Sequence, residues 1–91
     1  MAMKDVFRFP PNRRARQTAL LDQLHYAKAE AEEAIEAEER GEGADRVIEE
    51  TWDVIQAAEG VLRKFTLVQV VKGFARVKLK SLHRGDYEVL P

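Results

Sequence analysis

The sequence predicts an all-α domain, and three observations lead to that fold class. From about residue 13 to residue 85 the chain is rich in Ala, Leu, Glu, Arg and Lys, which are strong helix formers. Apolar residues recur there at spacings of three and four, the period of a helix. Most Gly and Pro residues lie outside these periodic stretches, where a helix would end. We therefore expect three main helices joined by short loops, with residues 13–85 forming a single domain.

Residues 1–12 are predicted to form an extended arm, because Pro10 and Pro11 exclude a helix at its end. The first helix is predicted over residues 13–39, which contain no Gly or Pro. Its apolar stripe comprises Leu20, Leu24, Ala27, Ala31, Ala34 and Ile35. Gly41 and Gly43 then end the helix.

The second helix is predicted over residues 44–65, with a stripe that includes Val47, Val54, Ile55, Ala58, Val61, Leu62 and Phe65. Thr66 is suited to cap a third helix over residues 67–83, since its side chain can accept a backbone N–H. Gly85 ends that helix, and residues 86–91 form a tail. Three amphipathic helices rarely close a good core alone, so we expect a homodimer or homotetramer resembling a four-helix bundle.

The composition excludes several classes of protein. The 91 residues include no Cys, which excludes disulfides, thiolate metal sites and thiol catalysis. No apolar run approaches the roughly 20 residues of a membrane span. The N-terminus lacks the apolar core of a secretory signal. We expect a cytoplasmic protein with no membrane partner.

The charges are segregated along the chain. Residues 30–59 hold twelve of the sixteen acidic residues and only two of the basic ones, whereas both flanks are basic. An acidic middle argues against nucleic acid as the partner. It is compatible with a site that holds a cation at its centre and an anionic ligand at its rim. Alternatively, the three segments simply neutralise one another when packed.

Acidic residues on the first two helices are spaced to share a helix face. Glu33 with Glu36, Glu32 with Glu36, and Glu50 with Asp53 are three or four residues apart. Across an antiparallel hairpin these carboxylates can converge. Two such charges about 5 Å apart repel by roughly 3 kcal/mol at an effective dielectric of about 20, so convergence favours a bound cation.

Oxygen ligands without His or Cys suit Mg²⁺, with Mn²⁺ as an alternative. Two questions stay open at this point. Glu30 and Glu33 offer the same spacing as Glu33 and Glu36, so the register of the first pair is undecided. A Glu-rich helix is also commonly a solvated face with no ligand.

The two acidic stretches also carry a family resemblance. EEAIE at 32–36, thirteen further residues and ETWD at 50–53 resemble the EExxE–spacer–ExxD signature of the MazG-like all-α nucleoside triphosphate pyrophosphohydrolases. VIQAAEGVLRKF and KLKSLHRGDY are also similar to small phage and bacterial members, so the resemblance covers about residues 17–87. The chain departs from the family at Trp52, where many members carry a small residue.

The resemblance implies Mg²⁺-dependent hydrolysis of (deoxy)nucleoside triphosphates to a monophosphate and pyrophosphate. It implies that the metal ligands are Glu33, Glu36, Glu50 and Asp53. Glu32 would be an auxiliary acid or would help to orient the attacking water. In the mechanism that we expect, an acid that the metal does not saturate, Glu32 or Glu33, would serve as general base. The alternatives are a non-catalytic helical oligomer that acts as an interaction or regulatory module, and an enzyme like phosphoribosyl-ATP pyrophosphohydrolase.

Basic residues near the C-terminus are the candidates for binding the substrate. Lys80, Arg84 and Lys78 could neutralise triphosphate oxygens, and Tyr87 could stack on a base. The competing interpretations are a solvated basic face and a packed terminal tyrosine. The sequence does not choose the base or the sugar.

Overall fold

The computed structural model describes residues 6–88, and all regular structure within that range is helical. The helices are α1 (Arg13–Gln17), α2 (Leu20–Glu39), α3 (Ala44–Leu62) and α4 (Leu67–His83). The all-α prediction is therefore confirmed. Parts of the predicted arm and tail, residues 1–5 and 89–91, lie outside the described range. Among the described helices, none is both long and apolar enough to cross a bilayer.

The prediction of one continuous helix over residues 13–39 is wrong, because the chain breaks at Thr18. This residue has extended backbone angles, φ −89° and ψ 138°. Its hydroxyl donates to the carbonyl of Arg14 at 2.7 Å, a local bond that competes with helix continuation. Lys64 Nζ donates to the carbonyl of Thr18 and to the carbonyl of Ala15, which also accepts the N–H of Thr18. A β-branched residue and a distant lysine thus make α1 a separate element.

Helix α3 ends at Leu62, three residues before the predicted boundary at residue 65. Backbone N–H groups of Lys64 and Phe65 donate to the carbonyls of Val61 and Leu62 in a tight turn. This turn leads directly into α4, whose predicted N-cap is confirmed. Thr66 accepts the N–H of Gln69 at 3.2 Å, and the Gln69 side chain accepts the N–H of Thr66 at 2.9 Å.

The core of the molecule is the hairpin of α2 and α3, which turns at Gly41 and Gly43. Both glycines have positive φ, at 64° and 99°, a conformation that other residues rarely adopt. The buried positions of α2 are seven residues apart, at Gln23, Glu30 and Ala37. On α3 the buried residues are Glu50, Ala57, Glu59 and Gly60, of which the first two are again seven apart.

Only the small residues of the apolar stripe predicted for α2 are partly covered, since Ala27, Ala31 and Ala34 are half-buried. Leu24 and Ile35 remain 47% and 56% exposed, while the buried positions hold small or polar residues. Small residues allow the two backbones to approach closely, and Gln23 Nε2 donates to the carbonyl of Ala57 at 3.1 Å across that interface. The larger apolar side chains are consequently directed away from the hairpin core.

The segment before α1 is fastened along α3 by a buried carboxylate. Glu59 accepts the N–H groups of Arg8 and Phe9 at 3.0 and 2.9 Å. Arg63 donates to the carbonyl of Phe9 at 3.0 Å and lies over the ring of the buried Phe7 at 4.2 Å. Each of these contacts joins residues about fifty positions apart, so they tie the N-terminal segment to the end of α3.

Trp52 packs against this N-terminal segment. Its ring centroid lies 6.0 Å from that of Phe9 in an edge-to-face arrangement, and the guanidinium of Arg8 lies 5.8 Å from it. Trp52 nonetheless keeps 42% of its surface exposed. The bulky residue next to Asp53 is therefore a contact of the segment that precedes α1.

Helix α4 leaves most of its apolar face uncovered within residues 6–88. A groove of about 700 Å³ lies between α4 and the end of α3. Its apolar lining includes Val6, Leu62, Phe65, Val70, Phe74 and Val77. Phe74 is 68% exposed, and Leu79 and Leu82 are also exposed. Such a contiguous apolar surface is typical of a protein contact site.

The close approach of α1 to α3 at Gly60 leads to a stability prediction. A Cβ at Gly60 would lie 2.8 Å from Ala15 Cβ and 2.8 Å from Gln23 Nε2. We expect Gly60→Ala to lower the free energy of unfolding by about 1–3 kcal/mol, because the overpacked contact must separate α1 from the hairpin. Urea unfolding followed by far-UV circular dichroism measures this change.

Gly73→Ala in α4 is the matched control. It has no atom within 4 Å of the added methyl group, so it should raise stability by up to about 1 kcal/mol through helix propensity alone. Equal effects of the two substitutions would contradict the packing assigned to Gly60.

Candidate metal centre

Three carboxylates meet where α2 faces α3. Glu30 lies on α2, and Glu50 and Asp53 lie one helical turn apart on α3. One carboxylate oxygen from each residue lies within 4.8 Å of those of the other two. We call these three residues the acidic cluster. The antiparallel hairpin produces it, because the same register that places Gln23 beside Ala57 places Glu30 beside Glu50.

Glu50 is the most buried member of the acidic cluster, at 2% exposure. Its Oε1 forms an ion pair with Arg46 at 2.5 Å. Its Oε2 is also buried but has no hydrogen-bond partner among the described residues. An unsatisfied buried carboxylate oxygen is costly and rare, and here it lies beside two further carboxylates. A cation is the kind of ligand that would satisfy it.

Arg46 does not neutralise the acidic cluster by itself. In addition to Glu50, it lies 3.6 Å from Glu42 and 3.6 Å from Glu49. Its single positive charge is thus shared among three carboxylates, and half of its side chain is exposed to solvent. The negative charge of Glu30 and Asp53 therefore remains largely uncompensated by this arginine.

Glu33 lies at the rim, within the electric field of the acidic cluster. Its pKa is raised, chiefly by the negative charge of Glu30, then by desolvation and by the charge of Glu50. Repulsion from neighbouring carboxylates favours the protonated form of an acid. Glu33 is therefore a fourth carboxylate of the site, exposed at its edge.

Tyr26 and Arg14 border the acidic cluster on its other side. The guanidinium of Arg14 lies 3.8 Å from the centre of the Tyr26 ring. The largest single influence on the pKa of Tyr26 is the interaction with Arg14, which lowers it. Interaction with Glu30 and partial burial outweigh that effect, so the pKa is raised overall. A cavity of about 20 Å³ lies here, and its polar lining comprises Asn12, Arg14, Gln23, Tyr26, Asp53 and Gln56.

The structure brings together only part of the residue set that the sequence predicted. Glu50 and Asp53 lie in the acidic cluster and Glu33 lies at its rim. Glu36 is exposed and lies 3.7 Å from Arg40 on the surface, and Glu32 is exposed as well. Glu30, which the sequence offered only as an alternative register, is in the cluster. The geometry thus favours the pair Glu30 and Glu33 over Glu33 and Glu36.

The predicted substrate-binding residues lie on or just after α4. Lys78, Lys80, Arg84 and Tyr87 are all exposed. Arg84 donates to Asp86 at 3.0 Å, which holds its guanidinium next to its own helix end. Among residues 6–88, no ion pair or hydrogen bond joins any of the four to the acidic cluster. Their role in substrate binding stays a prediction.

The donor set of the acidic cluster consists of carboxylate oxygens, which suit hard divalent cations such as Mg²⁺ and Mn²⁺. Two donors on one rigid helix and one on its neighbour give a site whose geometry the hairpin fixes. No family model, curated protein or solved structure matches this chain. The chemistry of the site is therefore inferred from its own residues and from the sequence pattern.

Replacing Glu50 should separate the intrinsic stability of the fold from its stabilisation by metal. Without divalent cation, we expect Glu50→Gln to raise the free energy of unfolding by up to about 1 kcal/mol, since the relief of repulsion among the clustered carboxylates outweighs the loss of the ion pair with the half-exposed Arg46. Wild type should gain about 2.7 kcal/mol at Mg²⁺ concentrations 100-fold above Kd, and the variant should gain almost nothing. Thermal unfolding with EDTA or with Mg²⁺ measures both effects.

Glu36→Gln is the control for this experiment. Because Glu36 is exposed and paired only with Arg40, the variant should keep both the stability and the Mg²⁺ response of wild type. If Glu36→Gln lost the response and Glu30→Gln kept it, the register of the site described here would be wrong.

The raised pKa of Glu33 predicts how metal-free stability depends on pH. Between the ordinary value of 4.5 and the raised pKa, the folded chain holds more protons than the unfolded chain. The contribution of Glu33 to the free energy of unfolding therefore falls as pH rises through that range. In EDTA, wild type should lose stability relative to Glu33→Gln as pH increases.

Urea midpoints of the two proteins at a series of pH values above 4.5 measure this difference. The exposed Glu38 on the same helix supplies the control, and Glu38→Gln should follow wild type. If wild type instead lost stability relative to Glu33→Gln as the pH was lowered, the fold would stabilise Glu33 as a carboxylate, and the raised pKa would be wrong.

Proposed function

We propose that this chain is a Mg²⁺-dependent hydrolase of nucleoside triphosphates that cleaves the α–β anhydride and releases a nucleoside monophosphate and pyrophosphate. One observation carries the proposal: the buried, unsatisfied Oε2 of Glu50 among the carboxylates of the acidic cluster. It supports a divalent cation at this position. The EExxE–ExxD resemblance supports the choice of a nucleotide as the substrate.

Glu30, Glu50 and Asp53 would hold the cation, with Glu33 available at the rim. A bound Mg²⁺ would supply charge neutralisation of phosphate oxygens and acidification of a water molecule. Glu36, a ligand by the resemblance, is exposed and paired with Arg40, so we rank it below Glu30. Mn²⁺ would suit the same oxygen donors.

Glu33 is the residue that we assign as general base. A base must accept a proton from the attacking water, and its efficiency rises as its pKa approaches the working pH. The charges of Glu30 and Glu50 raise the pKa of Glu33, and its exposure leaves it accessible to water. Arg46 fixes Glu50 through the ion pair at Oε1 and so orients the other oxygen. Glu32 remains the alternative base that the sequence offers.

We further propose that the functional protein is a homo-oligomer, either a dimer or a tetramer. The support is the uncovered apolar surface of α4, together with Leu24 and Ile35 on α2. A second copy could cover these side chains and supply the core that one chain lacks. A cytoplasmic location, expected from the sequence, fits a nucleoside triphosphate substrate.

The same apolar surface favours a second candidate function, a non-catalytic helical module that acts through its partners. In that case the acidic cluster would be a structural cation site or a solvated face. An activity like that of phosphoribosyl-ATP pyrophosphohydrolase is a third possibility, which differs in substrate and not in cofactor.

Pyrophosphate release from a panel of nucleoside and deoxynucleoside triphosphates tests the proposal. Wild type should release pyrophosphate with Mg²⁺ and not with EDTA, and Glu50→Gln should lower kcat/KM by about 100-fold or more, because the site loses a charged ligand. Glu36→Gln again provides the matched charge control and should remain within about threefold of wild type.

A variant at Glu50 that released pyrophosphate as fast as wild type would overturn the assignment. An oligomeric wild-type protein with no turnover of any triphosphate would favour the interaction module. Phosphoribosyl-ATP belongs in the panel, because turnover of that compound alone would identify the third possibility.

A further inference from the structure

Two arginines flank the acidic cluster, and they differ in how far their charges are neutralised. Arg46 lies within 4 Å of three carboxylates. Arg14 forms no ion pair with any described carboxylate in residues 6–88. It lines the same small cavity as Asp53, and its guanidinium lies 3.8 Å from the centre of the ring of Tyr26, whose pKa is in turn raised by interaction with Glu30. Arg14 is thus the cation at the edge of the site whose charge is available to an anion.

The position of Arg14 is set by contacts that join α1 to α3. Asn12 caps α1 by accepting the N–H of Ala15 at 3.0 Å. Ala15 is buried in the space that Gly60 leaves open. Lys64 Nζ donates to the carbonyl of Ala15 at 2.8 Å at the other end of α1. A five-residue helix would not persist alone, so these contacts place the backbone of Arg14 beside the acidic cluster.

The contact with Tyr26 leaves most hydrogen-bond donors of the guanidinium usable. A guanidinium carries five N–H donors, and Arg14 forms no ion pair with a carboxylate in residues 6–88, so donors remain for a further ligand. The planar guanidinium matches two phosphate oxygens in a bidentate arrangement, which a lysine cannot reproduce. The chemistry of Arg14 therefore suits a phosphate group.

We infer that Arg14 is a substrate-binding residue that contacts the polyphosphate of the nucleotide next to the cation site. The inference rests on the proposed function. A polyphosphate keeps several negative charges after it meets a divalent cation, and the surrounding carboxylates repel them. Arg14 supplies a positive charge for these phosphate oxygens on the side of the site where Asp53 lies. The basic residues of α4 are then not required for the first phosphate contact.

A purely structural role for Arg14 would have different consequences. If the residue acted only through its positive charge on Glu30 or Asp53, Arg14→Lys would keep that charge and restore the affinity for polyphosphate in full. If it only held α1 in place, its removal would lower stability. A direct contact with polyphosphate instead lowers this affinity with the fold and the cation site intact, and Arg14→Lys restores it only in part.

The experiment compares wild type with Arg14→Gln, Arg14→Lys and Arg16→Gln. Arg16 is exposed and lies two positions along the same helix, so it points to the opposite side and carries the same charge change. Titration calorimetry measures binding of Mg²⁺ alone and of inorganic tripolyphosphate in the presence of Mg²⁺. Steady-state pyrophosphate release gives kcat and KM for the nucleotide, and thermal unfolding without ligand checks the fold.

Arg14→Gln should weaken tripolyphosphate binding and raise the nucleotide KM by about 10- to 100-fold, the usual effect of losing a hydrogen bond between charged groups. Its Mg²⁺ affinity should be equal to or higher than that of wild type, since a nearby positive charge is gone. Arg14→Lys should recover only part of the affinity. Arg16→Gln should behave as wild type.

Equal tripolyphosphate affinities for Arg14→Gln and Arg16→Gln, with wild type active, would overturn this inference and leave the proposed function standing. Arg14→Gln that lost stability and Mg²⁺ binding together would assign the residue a structural role, which also overturns it. A wild-type protein without Mg²⁺ binding or turnover would remove the proposed function, and the inference with it.

Discussion

The buried carboxylate of Glu50 is the constraint around which the rest of the structure is arranged. A charged oxygen without a partner inside a helix pair is unfavourable unless the surroundings or a ligand compensate it. Arg46 forms an ion pair with one oxygen of Glu50. The other oxygen is buried without a hydrogen-bond partner among the described residues, and the carboxylates of Glu30 and Asp53 lie beside Glu50. A fold that accepts this cost without a ligand would gain stability by replacing the residue. Its presence is most simply explained by a function that needs concentrated negative charge.

The interface between α2 and α3 is built to hold that charge. Its buried positions are small or polar, so the two helices lie close and their carboxylates meet with little room to separate. Large apolar side chains of α2 such as Leu24 and Ile35 consequently remain on the outside. Positions that would hold large apolar side chains in an ordinary helix pair are thus occupied by small residues and carboxylates. Contact with another copy is one way to recover burial of apolar surface on this scale.

The segment before α2 contributes to the same centre in a different way. Glu59, Arg63 and Lys64, on the last turns of α3 and just after it, all bind the backbone of residues 8–18. These side chains are charged but serve to position the chain. They bring α1, and with it Arg14, to the edge of the acidic cluster. The basic N-terminal part of the sequence and its acidic middle are therefore joined in one site.

Much of the fold could be predicted from the sequence, since Gly41, Gly43 and Thr66 mark helix ends by local chemistry. The α4 boundaries followed from these signals. The break at Thr18 could not be predicted in this way, because a threonine bond to its own helix also occurs in continuous helices, and the contact with Lys64, forty-six residues away, exists only in the fold. The pair Glu50 and Asp53 was predictable from spacing on one helix. Glu30 needed the register across the hairpin, which could have been estimated by counting outward from the two glycines.

The sequence by itself determined the helices, their turns and the concentration of acidic residues on two adjacent helices, because these follow from local propensity and periodicity. Only the tertiary structure decided which acids converge, since a helix rich in Glu presents carboxylates on several faces. The small residues at the α2–α3 interface select Glu30 and leave Glu36 in solvent. The location of Arg14 was likewise decided by the tertiary structure. Contacts of Ala15 with Gly60 and Lys64, far away in the sequence, place α1 and therefore Arg14 beside Asp53.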